Sequence, residues 1–190
     1  MAMKPEDVLR VIAAARGDAI CVPTMTTVPA WRTIAPNDLS VVCVGFMGGA
    51  SSLGLGLALA RPERRVIVFD GDGSLLMQLG SLATIGAAAP RNFVHLVFKN
   101  GVYQTSGAQA VPGGLQVDYV TMARAAGYRS AYAIHDPDEF RRRLPAALTE
   151  EGPILVELYT GLAEQTPMTA PGGRPFHQQV EELRARLQGA

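Results

Sequence analysis

The sequence predicts an α/β fold: a doubly wound, six-stranded parallel sheet with helices on both faces. Three observations carry this expectation. Short apolar runs of four to six residues recur along the chain, too short for free-standing helices and suited to strands buried on both faces. Segments with apolar residues at helical spacing alternate with them, the pattern of strand–helix–strand units. The 190 residues, 48% of them hydrophobic, suit one domain with a substantial core. In such a sheet a ligand lies at the carboxyl ends of the strands.

Lys4 to Arg16 carries Val8, Leu9, Ile12 and Ala13 at helical spacing, and Gly17 stops it. Ala19 to Val22 is the first strand. The segment TMTTVPAWRTIAPND that follows is polar and bears two prolines, so it is expected to be irregular. Its Thr24, Thr26 and Thr27 are candidates for ligand contact from a loop. Val41 to Val44 is the second strand, followed by GFMGGASSLGLGLALA, whose small residues let a helix over Gly48 to Ala60 lie close to a neighbour. The dinucleotide fingerprint GxGxxG is absent from that turn.

Val66 to Phe69 is the third strand, and Ser74 to Ala87 reads as a helix with Leu75, Leu79, Leu82 and Gly86 on one face. Phe93 to Phe98 is the fourth strand. Asp118 caps a helix over Tyr119 to Ala126 that Gly127 ends, and Ser130 to Ile134 is the fifth strand. Asp136-Pro137-Asp138-Glu139 opens the next helix with an N-cap, a proline at the first position and a Glu three residues on. Phe140, Leu144 and Leu148 form its buried stripe, and Pro145 predicts a kink or a restarted turn. Pro153 to Leu158 is the sixth strand. Gly161 to Pro175 is a Pro/Gly-rich connection, and the tail from His177 is a short amphipathic helix with Val180, Leu183 and Leu187 on one face. Residues 1–160 are thus expected to form the domain, and 161–190 a tail that packs on it or on a partner.

Lys plus Arg equals Asp plus Glu, at 17 each, which removes any long-range pull toward nucleic acid or a membrane surface. The run Arg141 to Arg143 reads as the solvated face of a helix. Cys21 and Cys43 sit in apolar runs without a CxxC pair and are expected to be core residues. No signal pattern opens the chain and no apolar run is long enough to span a bilayer, so a reducing cytoplasm is expected. His95, His135 and His177 lack metal-ligand spacing, and His95, inside a strand, is expected to be a satisfied core residue.

Gly71-Asp72-Gly73 breaks the third strand and presents the Asp72 carboxylate at its carboxyl end, where an acid reads as a metal ligand. The N–H groups at the following helix start, with the positive end of its dipole, make an anion site beside that carboxylate. A metal next to an anion points to a diphosphate. Asn100, at the end of the fourth strand, offers a hard oxygen of the kind Mg²⁺ or Ca²⁺ takes.

This arrangement resembles the cofactor signature of thiamine-diphosphate enzymes, in which GDG is followed at a set spacing by a pair of asparagines. Here Ser74 to Phe98 gives 25 residues, and Lys99-Asn100 follows. The resemblance implies that Asp72, Asn100 and the Val102 carbonyl hold Mg²⁺, and that Gly71, Gly73, Ser74 and Leu75 lie against the diphosphate. Lys99 replaces the first asparagine, which leaves the ligand in place but is expected to change the local charge. GFMG resembles the family's G-x-M-G turn. By that match Gly45 offers its carbonyl to the aminopyrimidine, Phe46 stands beside it, and Met47 wedges under the cofactor and holds it bent for proton transfer. Tyr103, Gln104 and Thr105 complete the implied cofactor-binding set from the loop after Asn100.

The pattern from Cys21 to Leu158 looks most like the decarboxylases of sulfopyruvate and phosphonopyruvate, on GFMGGASSLGLGLALA, GDGSLLMQLG and NGVYQTSGAQ. Tyr103 fits the sulfopyruvate type, whereas Ala110-Val111 stand where Pro-Thr is usual after Gln109. The resemblance implies the thiamine-diphosphate-binding fold and the diphosphate-binding β subunit of a 2-oxoacid decarboxylase that yields an aldehyde and carbon dioxide. It also implies that the catalytic Glu comes from a pyrimidine-binding α subunit in a hetero-oligomer of at least two α and two β chains, with no catalytic residue in this chain. A carboligating subunit like that of acetolactate synthase, or a non-catalytic regulatory module of the same fold, stays open.

Overall fold

The computed structural model describes residues 2–36, 39–43, 46–164 and 175–188. Its strands are β1 (Ile20–Pro23), β2 (Val66–Gly71), β3 (Phe93–Lys99), a short hairpin of β4 (Val102–Tyr103) and β5 (Gln109–Ala110), then β6 (Ser130–Ile134) and β7 (Ile154–Tyr159). Five of them form one sheet in the order β1-β2-β3-β7-β6, with every pairing parallel. The helices are α1 (Pro5–Ala15), α2 (Thr27–Ile34), α3 (Gly49–Ala60), α4 (Asp72–Met77), α5 (Ser81–Ala88), α6 (Tyr119–Ala125), α7 (Pro137–Thr149) and α8 (Phe176–Gln188).

Alternation along the strands divides the core into two layers. Val66, Val68, Phe93, Val97 and Leu155 meet residues of α3, α5, α6 and α8 on one face. Ile67, Phe69, Leu96, Phe98 and Val156 meet residues of α1, α2 and α7 on the other. The predicted doubly wound sheet is therefore present, with one strand fewer than expected among the described residues. The segment 40–43, which covers the described part of the expected strand, meets β1 and the residue after it only through isolated bridges, Cys21 with Ser40 and Thr24 with Cys43. Cys21 N–H donates to the Leu39 carbonyl, and the N–H groups of Val41 and Cys43 donate to the carbonyls of Cys21 and Pro23. Continuing that ladder requires an N–H at residue 23, and Pro23 has none.

Three further expectations are corrected. The segment after β1 is not irregular, because it contains α2. Thr27 Oγ accepts from Thr24 N–H and donates to the Thr24 carbonyl, closing a turn, and Pro29 falls in the first helical turn, where a missing N–H costs little. Trp31 then packs edge-on against Phe69 at 4.7 Å. The helix expected over Ser74 to Ala87 is two helices, interrupted at Gln78, whose backbone leaves the helical region before Gly80 restarts it. Of the kink or restarted turn expected at Pro145, the restarted turn is absent: α7 runs through Pro145 as one helix, with the proline exposed on the solvated side, where water can take the place of the lost hydrogen bond.

The expected caps are present: Asp118 accepts from Thr121 N–H, and Asp136 from the N–H groups of Asp138 and Glu139. Cys21 and Cys43 are both buried thiols. In the tail, Leu183 joins the α3-side core and Gln179 Oε accepts from Val42 N–H at 3.0 Å. Residues 165–174 of the Pro/Gly-rich connection lie outside the described residues. Among the described residues no helix is long and apolar enough to cross a membrane.

The small residues of α3 let it lie on the sheet. A Cβ at Gly54 would stand 2.3 Å from Val68 Cγ2. Gly54→Ala gains about 1 kcal/mol of helix propensity but forces a stiff β-branched side chain to move, an overpacking cost of roughly 1–3 kcal/mol. The expected outcome is a net loss of stability, read as a lower urea midpoint at unchanged m-value.

Candidate functional site

The carboxyl ends of β1, β2 and β3 open into a pocket whose lining includes Met25, Met47, Asp72, Ser74, Asn100 and Tyr103. It forms because two strands end side by side. Gly71 at the end of β2 pairs with Phe98 near the end of β3, so the turns that follow them face each other. Asp72 is 2% exposed and supplies the contact between those turns. Its Oδ1 accepts from Gly73 N–H at 2.8 Å, and its Oδ2 from the N–H groups of Asn100 at 3.1 Å and Gly101 at 2.6 Å. Burial pushes the Asp72 carboxyl above its ordinary value, against these N–H groups and the charge of Lys99.

Asn100 Oδ1 accepts from Val102 N–H at 3.0 Å, which fixes the amide oxygen toward the same turn. Each of these oxygens keeps acceptor capacity beyond the bonds named, since a carboxylate has about four lone-pair sites and an amide oxygen two. Among the described residues no group of three or more His, Cys, Asp or Glu could hold a metal. The available donors are hard oxygens, one carboxylate, one amide and main-chain carbonyls, a set suited to a cation that keeps part of its water and also takes phosphate oxygens. Gly73 is required here for space, because a Cβ on it would stand 2.3 Å from Cε1 of the Tyr103 ring.

The structure gathers most of the predicted set. Met47, Gly71, Gly73, Ser74, Val102 and Tyr103 line the pocket with Asp72 and Asn100, as do Gln104 and Thr105. Ser74 Oγ accepts from Gly48 N–H at 3.0 Å and so ties the turn before α3 to the start of α4. Phe46 is not in the lining; it is 62% exposed, and its ring packs over Gly49. Leu75 is fully buried in the core, leaving only its main chain for a ligand. Gln104 lines the pocket, but its amide is engaged with the tail, donating to the Ala163 carbonyl at 2.6 Å and accepting from Ala163 N–H at 3.0 Å. Gly45 lies outside the described residues. Of the three threonines only Thr26 reaches the pocket, because Thr24 Oγ donates to the Cys43 carbonyl and Thr27 is used in its turn.

The charge that Lys99 was expected to add is felt by Asp72, but the Lys99 side chain does not enter the pocket. Consecutive strand residues point to opposite faces, and Lys99, 1% exposed, turns beneath the sheet end. Its Nζ donates to Glu157 Oε1 at 3.0 Å, the Tyr159 hydroxyl at 3.2 Å and the Val117 carbonyl at 2.5 Å. Burial would lower its pKa, but the Glu157 and Tyr159 bonds raise it, so the ammonium form persists. His95 is satisfied as expected, between Asp70 at 3.2 Å and the Tyr128 hydroxyl at 3.2 Å. Sequence reasoning missed Met25 and Phe98 in the lining, and Tyr119, whose hydroxyl donates to the Asp72 carbonyl at 2.9 Å. Met25 carried one signal, its place just after the carboxyl end of β1.

Residues 24–158 match the family described as "Thiamine pyrophosphate enzyme, C-terminal TPP binding domain". The chain is 48% identical over 126 residues to a phosphonopyruvate decarboxylase of Streptomyces viridochromogenes, covering 66% of this chain and 31% of that protein. It is 38% identical over 118 residues to the sulfopyruvate decarboxylase subunit beta of Methanocaldococcus jannaschii, covering 62% of each. The chain therefore spans about a third to three fifths of the length of these relatives. Among solved structures, a thiamine diphosphate-dependent 4-hydroxybenzoylformate decarboxylase of Rhodococcus jostii superposes with a TM-score of 0.72 at 25% identity, over 86% of this chain and 34% of that one. The family match runs from just after β1, through both turns that converge on Asp72, to Leu158 in β7, and on it the chain belongs to the thiamine pyrophosphate enzymes, as a C-terminal TPP-binding domain.

Proposed function

We propose that this chain is the diphosphate-binding subunit of a thiamine-diphosphate-dependent 2-oxoacid decarboxylase acting on a substrate of the sulfopyruvate or phosphonopyruvate kind. The observation that carries it is the convergence of the buried Asp72 carboxylate, the Asn100 amide oxygen and the Val102 turn in one pocket. When bound, thiamine diphosphate supplies the electron sink for loss of carbon dioxide from a 2-oxoacid. Asp72, Asn100 and the Val102 carbonyl would hold Mg²⁺, and the main chain of Gly73 to Leu75 the diphosphate. Met47 and Phe98 give the pocket apolar walls. Tyr103 closes over Gly73 on the loop side.

No Glu lines the pocket among the described residues. In this reading the Glu that acts on the aminopyrimidine comes from a pyrimidine-binding α subunit, in an assembly of at least two α and two β chains. The "subunit beta" in the name of the Methanocaldococcus relative supports this arrangement. The pairing of Lys99 with Glu157 accounts for the cation that stands in place of the family's first asparagine without taking Asn100 from the pocket. Two buried thiols without a disulfide fit a reducing cytoplasm.

Three outcomes test the proposal. Asp72→Ala removes a direct ligand, and replacing even an outer partner of a metal site costs about 10–100-fold in affinity; the loss in Mg²⁺-dependent thiamine diphosphate binding, measured by titration calorimetry of the assembled enzyme, is expected to exceed that range. Unchanged binding sinks the ligand assignment. Protons compete with Mg²⁺ for Asp72, and its raised pKa keeps the protonated form present to higher pH than in an ordinary carboxyl. Acidification should therefore weaken cofactor binding from a pH higher than the ~3.9 of a free aspartate would set. Finally, the isolated chain is expected to be inactive and to regain turnover when mixed with its α subunit, followed by size-exclusion chromatography and carbon dioxide release; full activity of the chain alone contradicts the assembly.

A further inference from the structure

The underside of the pocket holds a buried charge network that the proposed function does not use. Lys99 and Glu157 are 1% and 3% exposed and pair at 3.0 Å between neighbouring strands β3 and β7. Glu157 divides its two oxygens: Oε1 takes Lys99 Nζ, and Oε2 accepts from Tyr119 N–H at 3.3 Å. Tyr119 is the first residue of α6, where a main-chain N–H has no partner within its own helix. Lys99 Nζ also stands 5.5 Å from the centre of the Tyr119 ring. Held from two sides, Tyr119 is fully buried, and its hydroxyl donates to the Asp72 carbonyl at 2.9 Å. Burial, and next the Asp72 charge, push the pKa of that hydroxyl far up, so it remains a donor.

The bonds therefore form one connected chain from the buried ion pair to the main chain of Asp72, with Tyr119 donating at both ends, through its N–H to Glu157 and through its hydroxyl to the Asp72 carbonyl. Asp72 is held on its side chain by the N–H groups of Gly73, Asn100 and Gly101, and on its carbonyl by Tyr119. We propose that Tyr119, fixed by the Lys99–Glu157 pair, is a positioning residue that sets the orientation of Asp72 for metal binding. This rests on the assignment of Asp72 as a Mg²⁺ ligand. It also gives Lys99 a role: the side chain works on the underside while its neighbour Asn100 faces the pocket.

Tyr119→Phe removes one hydroxyl and keeps the ring beneath Lys99. In the assembled enzyme, Mg²⁺ titrated at fixed thiamine diphosphate is expected to bind about tenfold more weakly in this variant, with a thermal midpoint near that of the wild type. Turnover should return to the wild-type level at saturating Mg²⁺, a recovery that a general folding defect would not show. A second variant, Lys99→Met with Glu157→Leu, removes both charges together and so avoids leaving one buried and unpaired; it should show the same weakening and the same recovery. Wild-type Mg²⁺ affinity in Tyr119→Phe overturns the proposal, whatever the double variant does. So does a weakening that follows a lowered thermal midpoint and is not recovered by Mg²⁺. If the wild-type enzyme itself binds no thiamine diphosphate, the functional assignment falls and this proposal with it.

Discussion

The Asp72 carboxylate joins the ends of β2 and β3, and the geometry of the pocket depends on that link. It accepts three main-chain N–H groups while almost wholly removed from water. Hydrogen bonds to an ionised acceptor are about twice as strong as neutral ones, and a buried donor left without a partner costs roughly 1–3 kcal/mol. The turn after β3 is thus pinned to the turn after β2. The pinned turn fixes Asn100, whose amide oxygen in turn receives Val102 N–H at the start of the β4–β5 hairpin. A carboxylate so placed is costly to bury, which its raised pKa records, and a bound cation would offset that cost.

The two faces of the sheet differ toward its carboxyl edge. On the α1, α2 and α7 side the strands end apolar, in Phe69, Phe98 and Leu158. On the α3, α5 and α6 side they turn polar. Val66 and Val68 lead to Asp70, Phe93 and Val97 flank His95 and lead to Lys99, and Leu155 leads to Glu157. These buried groups find one another: His95 with Asp70 and Tyr128, Lys99 with Glu157 and Tyr159. Removing one member of a buried ion pair such as Lys99–Glu157 typically costs about 3–5 kcal/mol, whereas replacing both is often neutral. The pairs thus penalise any packing in which the strands around the site are misregistered, more than they add to overall stability. The polar face lies under α4 and α6, the helices whose starts contribute Asp72 and Tyr119.

Much of this architecture was legible in the sequence, because strands buried on both faces and helices with one apolar face leave short-range periodic signals. The spacing from Gly71-Asp72-Gly73 to Asn100 was readable because both motifs end apolar runs, and neighbouring parallel strands bring their carboxyl ends together. Asp118 and Asp136 were readable as caps because a cap bonds within three residues of itself. What the tertiary structure alone decided depends on partners distant in sequence. Pro23 interrupts a ladder only because Val41 and Val42 run beside it. Lys99 is a structural cation because Glu157 stands on the next strand, and Gln104 is held by Ala163 from the tail. Tyr119 becomes part of the site only when α6 is laid beneath α4, which places its hydroxyl 47 residues away in sequence on the Asp72 carbonyl. Composition and spacing set which elements form; burial of a polar group demands a partner, and the fold decides which one is within reach.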